Sequence, residues 1–99
     1  MRREAVPPHP GGVLAALLPR TGLTQEQFAK RIRISRVNLS MLLMGRRDMS
    51  ISMALRLSKV LGTSVDFWLN LQRSLDVYRE REKLRLLLAS LRLVKVVSL

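Results

Sequence analysis

The chain has 99 residues, 47% of them hydrophobic but only 4% aromatic, which is enough for one aliphatic core and one domain. Eighteen Lys and Arg against seven Asp and Glu leave a formal charge of +11, which implies an acidic partner: nucleic acid, an anionic membrane or an acidic protein. The lack of Cys excludes a disulfide frame and thiolate chemistry and fits a cytoplasmic protein, and the longest apolar run, six residues from Val13 to Leu18, is too short for a membrane span of about 20.

Residues 1–8, with Arg2, Arg3, Pro7 and Pro8, read as a flexible N-terminal arm. Such arms either reach into a DNA minor groove or simply fray. Arg2 and Arg3 before an apolar run hint at a signal peptide, but the run is short and prolines intervene, so no export signal is expected. His9 is the lone histidine. With no second ligand or carboxylate near it in sequence, it reads as a cap or turn residue. Pro10 suits a first helical turn, Val13, Leu14, Leu17 and Leu18 form an apolar stripe, and Pro19 ends the helix.

The stretch from Leu23 to Arg47 reads as two short helices joined by a tight turn. Thr24 with Gln27 makes a capping box, and Leu23 with Phe28 a hydrophobic staple. Phe28, Ala29 and Ile32 share one face, and the small Ala29 lets the two helices approach. Ser35 caps the second helix, Leu39, Leu42 and Leu43 face inward, and Gly45 stands where a left-handed residue closes the helix. Six basic residues against one acid mark this stretch. A helical hairpin inside a larger core would share the periodicity; the two caps and the charge bias favour a helix-turn-helix.

Arg46, Arg47 and Asp48 form a charged loop. Ser50 caps a fourth helix with apolar positions Ile51, Ala54, Leu55, Leu57 and Leu61, closed by Gly62. Ser64 caps a fifth, with Asp66 in its first turn. Trp68, Leu71, Leu75 and Tyr78 form a heptad-like seam, either core or a surface facing a second copy. Residues 79–99 form an extension. Leu84, Leu87, Leu88 and Leu91 keep helical spacing to about Ser90, and the valine-rich end reads as extended. Paired antiparallel copies would bury Trp68, Leu71, Leu75, Tyr78, Leu84 and Leu88, leaving Arg79, Arg81 and Arg85 at the rim. No carboxylate pair, metal-ligand cluster, glycine-rich phosphate loop or Ser/His/Asp set can be assembled, so no enzyme, cofactor or metal is expected.

The residues His9-Pro-Gly, Gly-Leu-Thr-Gln (22–25), Ala-Lys-Arg (29–31), Ile-Ser-Arg (34–36), Leu-Leu-Met-Gly-Arg-Arg (42–47), Met-Ala-Leu-Arg-Leu (53–57) and Leu-Gly-Thr-Ser-Val-Asp-Phe-Trp-Leu-Asn-Leu-Gln (61–72) resemble the HigA/VapI-type antitoxins of the xenobiotic-response-element helix-turn-helix family. The resemblance spans roughly residues 9–78. It implies an all-α fold, a five-helix lambda-repressor-like DNA-binding domain over 9–78 followed by the C-terminal extension. It also implies a homodimer on double-stranded operator DNA that represses its own operon, and a second partner, a HigB-like ribonuclease toxin, with no membrane role. Two departures from the pattern are Arg33, where the family's turn has Gly, and Gly12, where an acid follows His-Pro-Gly. A left-handed Arg33 would cost about 1 kcal/mol.

The third departure is the recognition helix. With Leu39, Leu42 and Leu43 facing in, its outer face presents Val37, Met41 and Met44, flanked by Arg36, Asn38 and Ser40, where the family has polar residues. Asn38 can address adenine, and Val37 or Met41 can pack on thymine methyls. Gln25, Ser35, Arg36, Arg46 and Arg47 supply phosphate contacts. Three functions compete: a dimeric antitoxin-repressor, a toxin-binding module with little sequence-specific DNA binding, and a peripheral membrane binder using the leucine-rich tail.

Overall fold

The computed structural model describes residues 5–97. Residues 1–4 of the expected arm and residues 98–99 of the extension lie outside the described residues. Six α-helices follow one another, and none of the described residues forms a strand: α1 Pro10–Leu17, α2 Gln25–Ile32, α3 Arg36–Leu43, α4 Ile51–Leu61, α5 Val65–Lys83 and α6 Arg85–Ser90. Between α1 and α2 the chain tightens into a 3-10 turn over Leu18–Thr21. Pro19 sits inside that turn, two residues beyond the end of α1 at Leu17.

The caps form as the local chemistry requires. Thr24 Oγ1 accepts from the Gln27 N–H at 3.1 Å while Gln27 Oε1 accepts from the Thr24 N–H at 2.9 Å, closing the capping box. Ser50 and Ser64 accept the third amide of α4 and α5, each at 3.0 Å. His9 caps α1, its Nδ1 accepting from Gly11 N–H at 2.9 Å. These bonds satisfy amides that a helix start leaves without an intrahelical partner.

Leu14, Leu18, Phe28, Ala29, Ile32, Leu39, Leu42, Met49, Ala54, Leu57 and Trp68 form one buried cluster. α2 lies against α3, with Ala29 at only 2% exposure between them. On α4 the inward side is Ala54 and Leu57 with Leu61 half-buried; Ile51 and Leu55, expected to face the core, point to solvent. Gly11 is where α1 crosses α3: a Cβ there would stand 1.7 Å from the Leu42 carbonyl oxygen. Trp68 is wholly buried, with its indole N–H donating to Thr63 Oγ1 at 2.7 Å. Truncating Trp68 would cost roughly 3–5 kcal/mol.

Burial corrects the expected seam on α5. Trp68 and Leu75 are sealed within this chain's own core, and Leu71 and Tyr78 are half-covered by it, so these four do not offer a continuous surface to a second copy. The spacing of three, four and three is the signature of one helix packing on its own domain as much as on a partner.

α5 runs unbroken past residue 78 to Lys83, and after Leu84 the chain restarts as α6. No residue of α6 is buried. The radius of gyration, 17.6 Å, exceeds the roughly 13 Å of a compact chain of this length because the C-terminal part projects from the domain. At the other end, Ala5 and Pro7 line a cleft against Ser74 and Tyr78 of α5, so this part of the expected arm lies along that helix.

Candidate nucleic-acid interface

α3 is the second helix of the α2–α3 pair, its start closed by a side-chain cap and its end by backbone hydrogen bonds. At its start, Ser35 Oγ accepts from the Asn38 N–H at 3.0 Å. At its end, Gly45 adopts a φ of 73°, its N–H donating to the Leu42 carbonyl at 3.0 Å and the Arg46 N–H to the Met41 carbonyl at 2.9 Å. These two bonds are a Schellman closure. The same closure ends α2, where Arg33 N–H donates to Lys30 O at 3.2 Å and Ile34 N–H to Ala29 O at 3.0 Å. Here the left-handed residue is Arg33 itself, at φ 60° and ψ 49°. The conformation that glycine would take freely is thus retained by an arginine, at about 1 kcal/mol. Arg56 of α4 meets this turn: its Nη1 donates to the carbonyls of both Ile32 and Arg33 at 2.8 Å. A guanidinium on the carbonyl end of a helix satisfies acceptors and complements the helix dipole.

The structure places the expected residues as follows. Val37 and Met44 are strongly exposed, at 67% and 58%, so the outer face of α3 is apolar as its sequence implies. Met41 is half-buried with its Sδ 4.0 Å from Arg47 Nη2. Ser40 and Asn38 are also half-buried. Asn38 lines a groove with Arg47, Ser50 and Met53, between α3 and the start of α4. Arg36, Arg46 and Arg47 are exposed, as is Gln25 at the first position of α2. Ser35 presents its hydroxyl beside Arg36 with the oxygen already engaged in the cap.

The loop after α3 is held from behind by residues that the reading of the sequence did not connect to it. Asp48 Oδ1 accepts from Arg79 Nη1 of α5 at 3.2 Å and stands 3.4 Å from His9 Nε2. Gln72 is buried, accepts from the Met49 N–H at 2.7 Å and donates to Asp76 at 2.9 Å. Burial draws the Asp48 carboxyl upward. The hydrogen bond and charge of Arg79, with smaller help from the nearby Gln72 and His9 side chains, outweigh that and hold it below its ordinary range. The one acid in the Arg46-Arg47-Asp48 loop is therefore answered by α5, and the two arginines face outward uncompensated. Arg79, expected at a dimer rim, is engaged in this network instead. The His9 ring also packs under the closure of α3, 3.5 Å from where a Gly45 Cβ would be.

The assembly is a short helix with an exposed face, a cap at its entry, cations at both ends and a loop braced against the core. Such a helix can enter a major groove while Arg36, Arg46 and Arg47 hold phosphates. Among the described residues no helix is long and apolar enough to cross a membrane.

Residues 15–68 match the family described as helix-turn-helix. Over 80 residues the chain is 35% identical to the uncharacterised HTH-type transcriptional regulator YbaQ of Escherichia coli K12, covering 80% of this chain and 71% of that protein. It is 36% identical over 83 residues to virulence-associated protein A' of Dichelobacter nodosus, covering 83% and 72%. A solved structure of an addiction module antidote protein of a HigA family, from Coxiella burnetii, superposes with a TM-score of 0.80 at 30% identity, covering 91% of this chain and all of that one.

Proposed function

This chain belongs to the helix-turn-helix family, and from that footing we propose that it is the antitoxin of a toxin–antitoxin pair, a homodimeric autorepressor on operator DNA that neutralises a HigB-like ribonuclease toxin. The observation that carries the DNA half is α3 with exposed Arg36 at its entry and exposed Arg46 and Arg47 just past its exit, the acid that follows them being paired to Arg79. The toxin half is supported by the likeness to the Coxiella antidote protein along its whole length. Pro10, Gly11, Trp68 and Gln72 are buried and serve the scaffold.

The second copy is proposed to pack on the extension. Leu84, Leu86, Leu87, Leu88 and Leu91 are 38–81% exposed and too many to leave in water without inviting aggregation. Two recognition helices must be held about 34–36 Å apart to read one face of DNA, and a rigid joint between copies sets that spacing. A chain truncated after Glu82 should stay folded, sediment as a monomer and bind operator far more weakly. A truncated chain that remains a tight dimer sinks the tail as the joint.

Duplex binding tests the repressor. The log of the association constant should fall steeply with log salt, and each of Arg36→Ala, Arg46→Ala and Arg47→Ala should reduce that slope by about 1. Unchanged affinity in the triple variant rejects this face. Co-expression with the toxin encoded in the neighbouring frame tests the other half, and failure to restore growth removes the antitoxin role.

A second reading is favoured by the apolar exposure of Val37 and Met44: a toxin-binding module with little sequence-specific DNA binding. Asn38→Ala separates the two. In a repressor it relaxes preference at one A·T position without altering the salt slope, within a modest preference near ~10³ over random DNA. In the module it changes nothing on DNA.

A further inference from the structure

Arg33 is the one non-glycine residue with positive φ among the described residues. Backbone strain of this kind concentrates at working surfaces, and the surface here is distinctive. Arg31, Arg33, Arg56 and Lys59 surround an open groove of about 440 Å³ between the end of α2 and the outer side of α4. Its apolar lining is Ile32, Leu55 and Val60, of which Leu55 and Val60 are 55% and 42% exposed. No acid lines it. Arg56 is committed to the carbonyls of the turn, so Arg31, Arg33 and Lys59 remain for a ligand.

We propose that this groove is a second docking surface, separate from α3, for an acidic amphipathic segment of a partner protein. Its aliphatic side chains cover Leu55 and Val60, and its carboxylates meet Arg31, Arg33 and Lys59. Glycine at position 33 would remove the strain and leave the groove one cation short. We take the acid to come from another molecule, because no carboxylate of this chain lines the groove and four of them are paired elsewhere: Glu26 with Lys30, Asp48 and Asp76 with Arg79, Glu80 with Lys83. The exposed tail cannot fill the groove favourably, since residues 84–97 hold Arg85, Arg92 and Lys95 and no acid. Nucleic acid would answer the cations but set phosphates against two aliphatic side chains, which gains nothing from Leu55 and Val60.

The test titrates the full chain with a synthetic helical peptide carrying Leu and Glu on neighbouring faces, and with a control of equal charge in which Ser replaces Leu. The first peptide should shift the backbone amide signals of Arg31, Arg33, Leu55 and Lys59, and the control should bind much more weakly. Leu55→Ser should weaken binding about tenfold through lost apolar contact. Arg33→Gly should weaken it about threefold while raising the melting temperature by about 4 °C, which separates lost contact from lost fold. Leu55→Ser, which alters no charge and lies on α4, should leave duplex affinity unchanged. Equal binding of the Ser control, indifference to Leu55→Ser, shifts centred on α3, displacement of the peptide by duplex DNA, or no binding at all would each overturn the proposal.

Discussion

α3 is entered and left through the same pair of backbone hydrogen bonds, built from opposite residues. Behind it stands Gly45, at ease in a left-handed conformation, with the His9 ring close beneath it. Before it stands Arg33 in nearly the same conformation, tied down through the two carbonyls that Arg56 clamps. The exit therefore depends on what glycine lacks, and the entry on what a distant helix supplies. Equal geometry conceals unequal support. The exit is braced by α1 and α5, through His9 and the Asp48–Arg79 pair, whereas the entry, besides its own Ser35 cap, is held by one guanidinium from α4.

The largest break expected is on the braced side. Gly11→Ala would put a Cβ 1.7 Å from the Leu42 carbonyl oxygen, which is backbone and cannot swing aside. α1 must move off α3, and urea unfolding should show a loss of about 3 kcal/mol with weaker DNA binding. On the other side, Arg56→Ala strips both carbonyls of their donor and should cost about 2 kcal/mol. In an Arg33→Gly background that cost should shrink, and the double-mutant cycle measures by how much the clamp offsets strain rather than merely satisfying acceptors.

The direct contrast is the exchange of residue type at the two turns. Gly45→Ala should destabilise by about 1 kcal/mol, while Arg33→Gly should stabilise by a similar amount. Equal signs would mean that the left-handed turn at Arg33 is not strained. The smallest effect concerns pH. A lowered pKa means that the folded chain holds the Asp48 proton less readily than the unfolded chain does. The stability it supplies is complete above the ordinary value of 3.8 and is lost as the pH falls through the lower folded value. Asp48→Asn should therefore flatten the acid limb of a stability–pH profile below about pH 4 and leave its neutral side only slightly lower.

These contrasts follow the range of the interactions involved. The capping box at Thr24 and Gln27, the serine caps, His9 as a cap and Gly45 as a closing residue join groups two to five residues apart, and they were legible from spacing alone. The Arg56 clamp, the Asp48–Arg79 pair and the Gln72–Met49 bond span 23 to 31 residues, and no periodicity announces them. Arg56 and Arg79 read as ordinary surface cations until α4 and α5 are brought against the turns. The seam on α5 failed for a related reason. Apolar residues at three- and four-residue steps state that a face is covered, not by what, and here the cover for Trp68 and Leu75 is the chain's own core.

What the amino-acid order determined by itself was the number of helices in the domain, where each of them starts and the apolar outer face of α3. Each is set within a turn or two by capping chemistry and the 3.6-residue period. The tertiary structure alone decided how the two ends of α3 are supported, which of α4's leucines face solvent, and that four cations meet around Leu55 and Val60. Those outcomes depend on the angles at which separate helices pack, and such angles arise from the whole core at once.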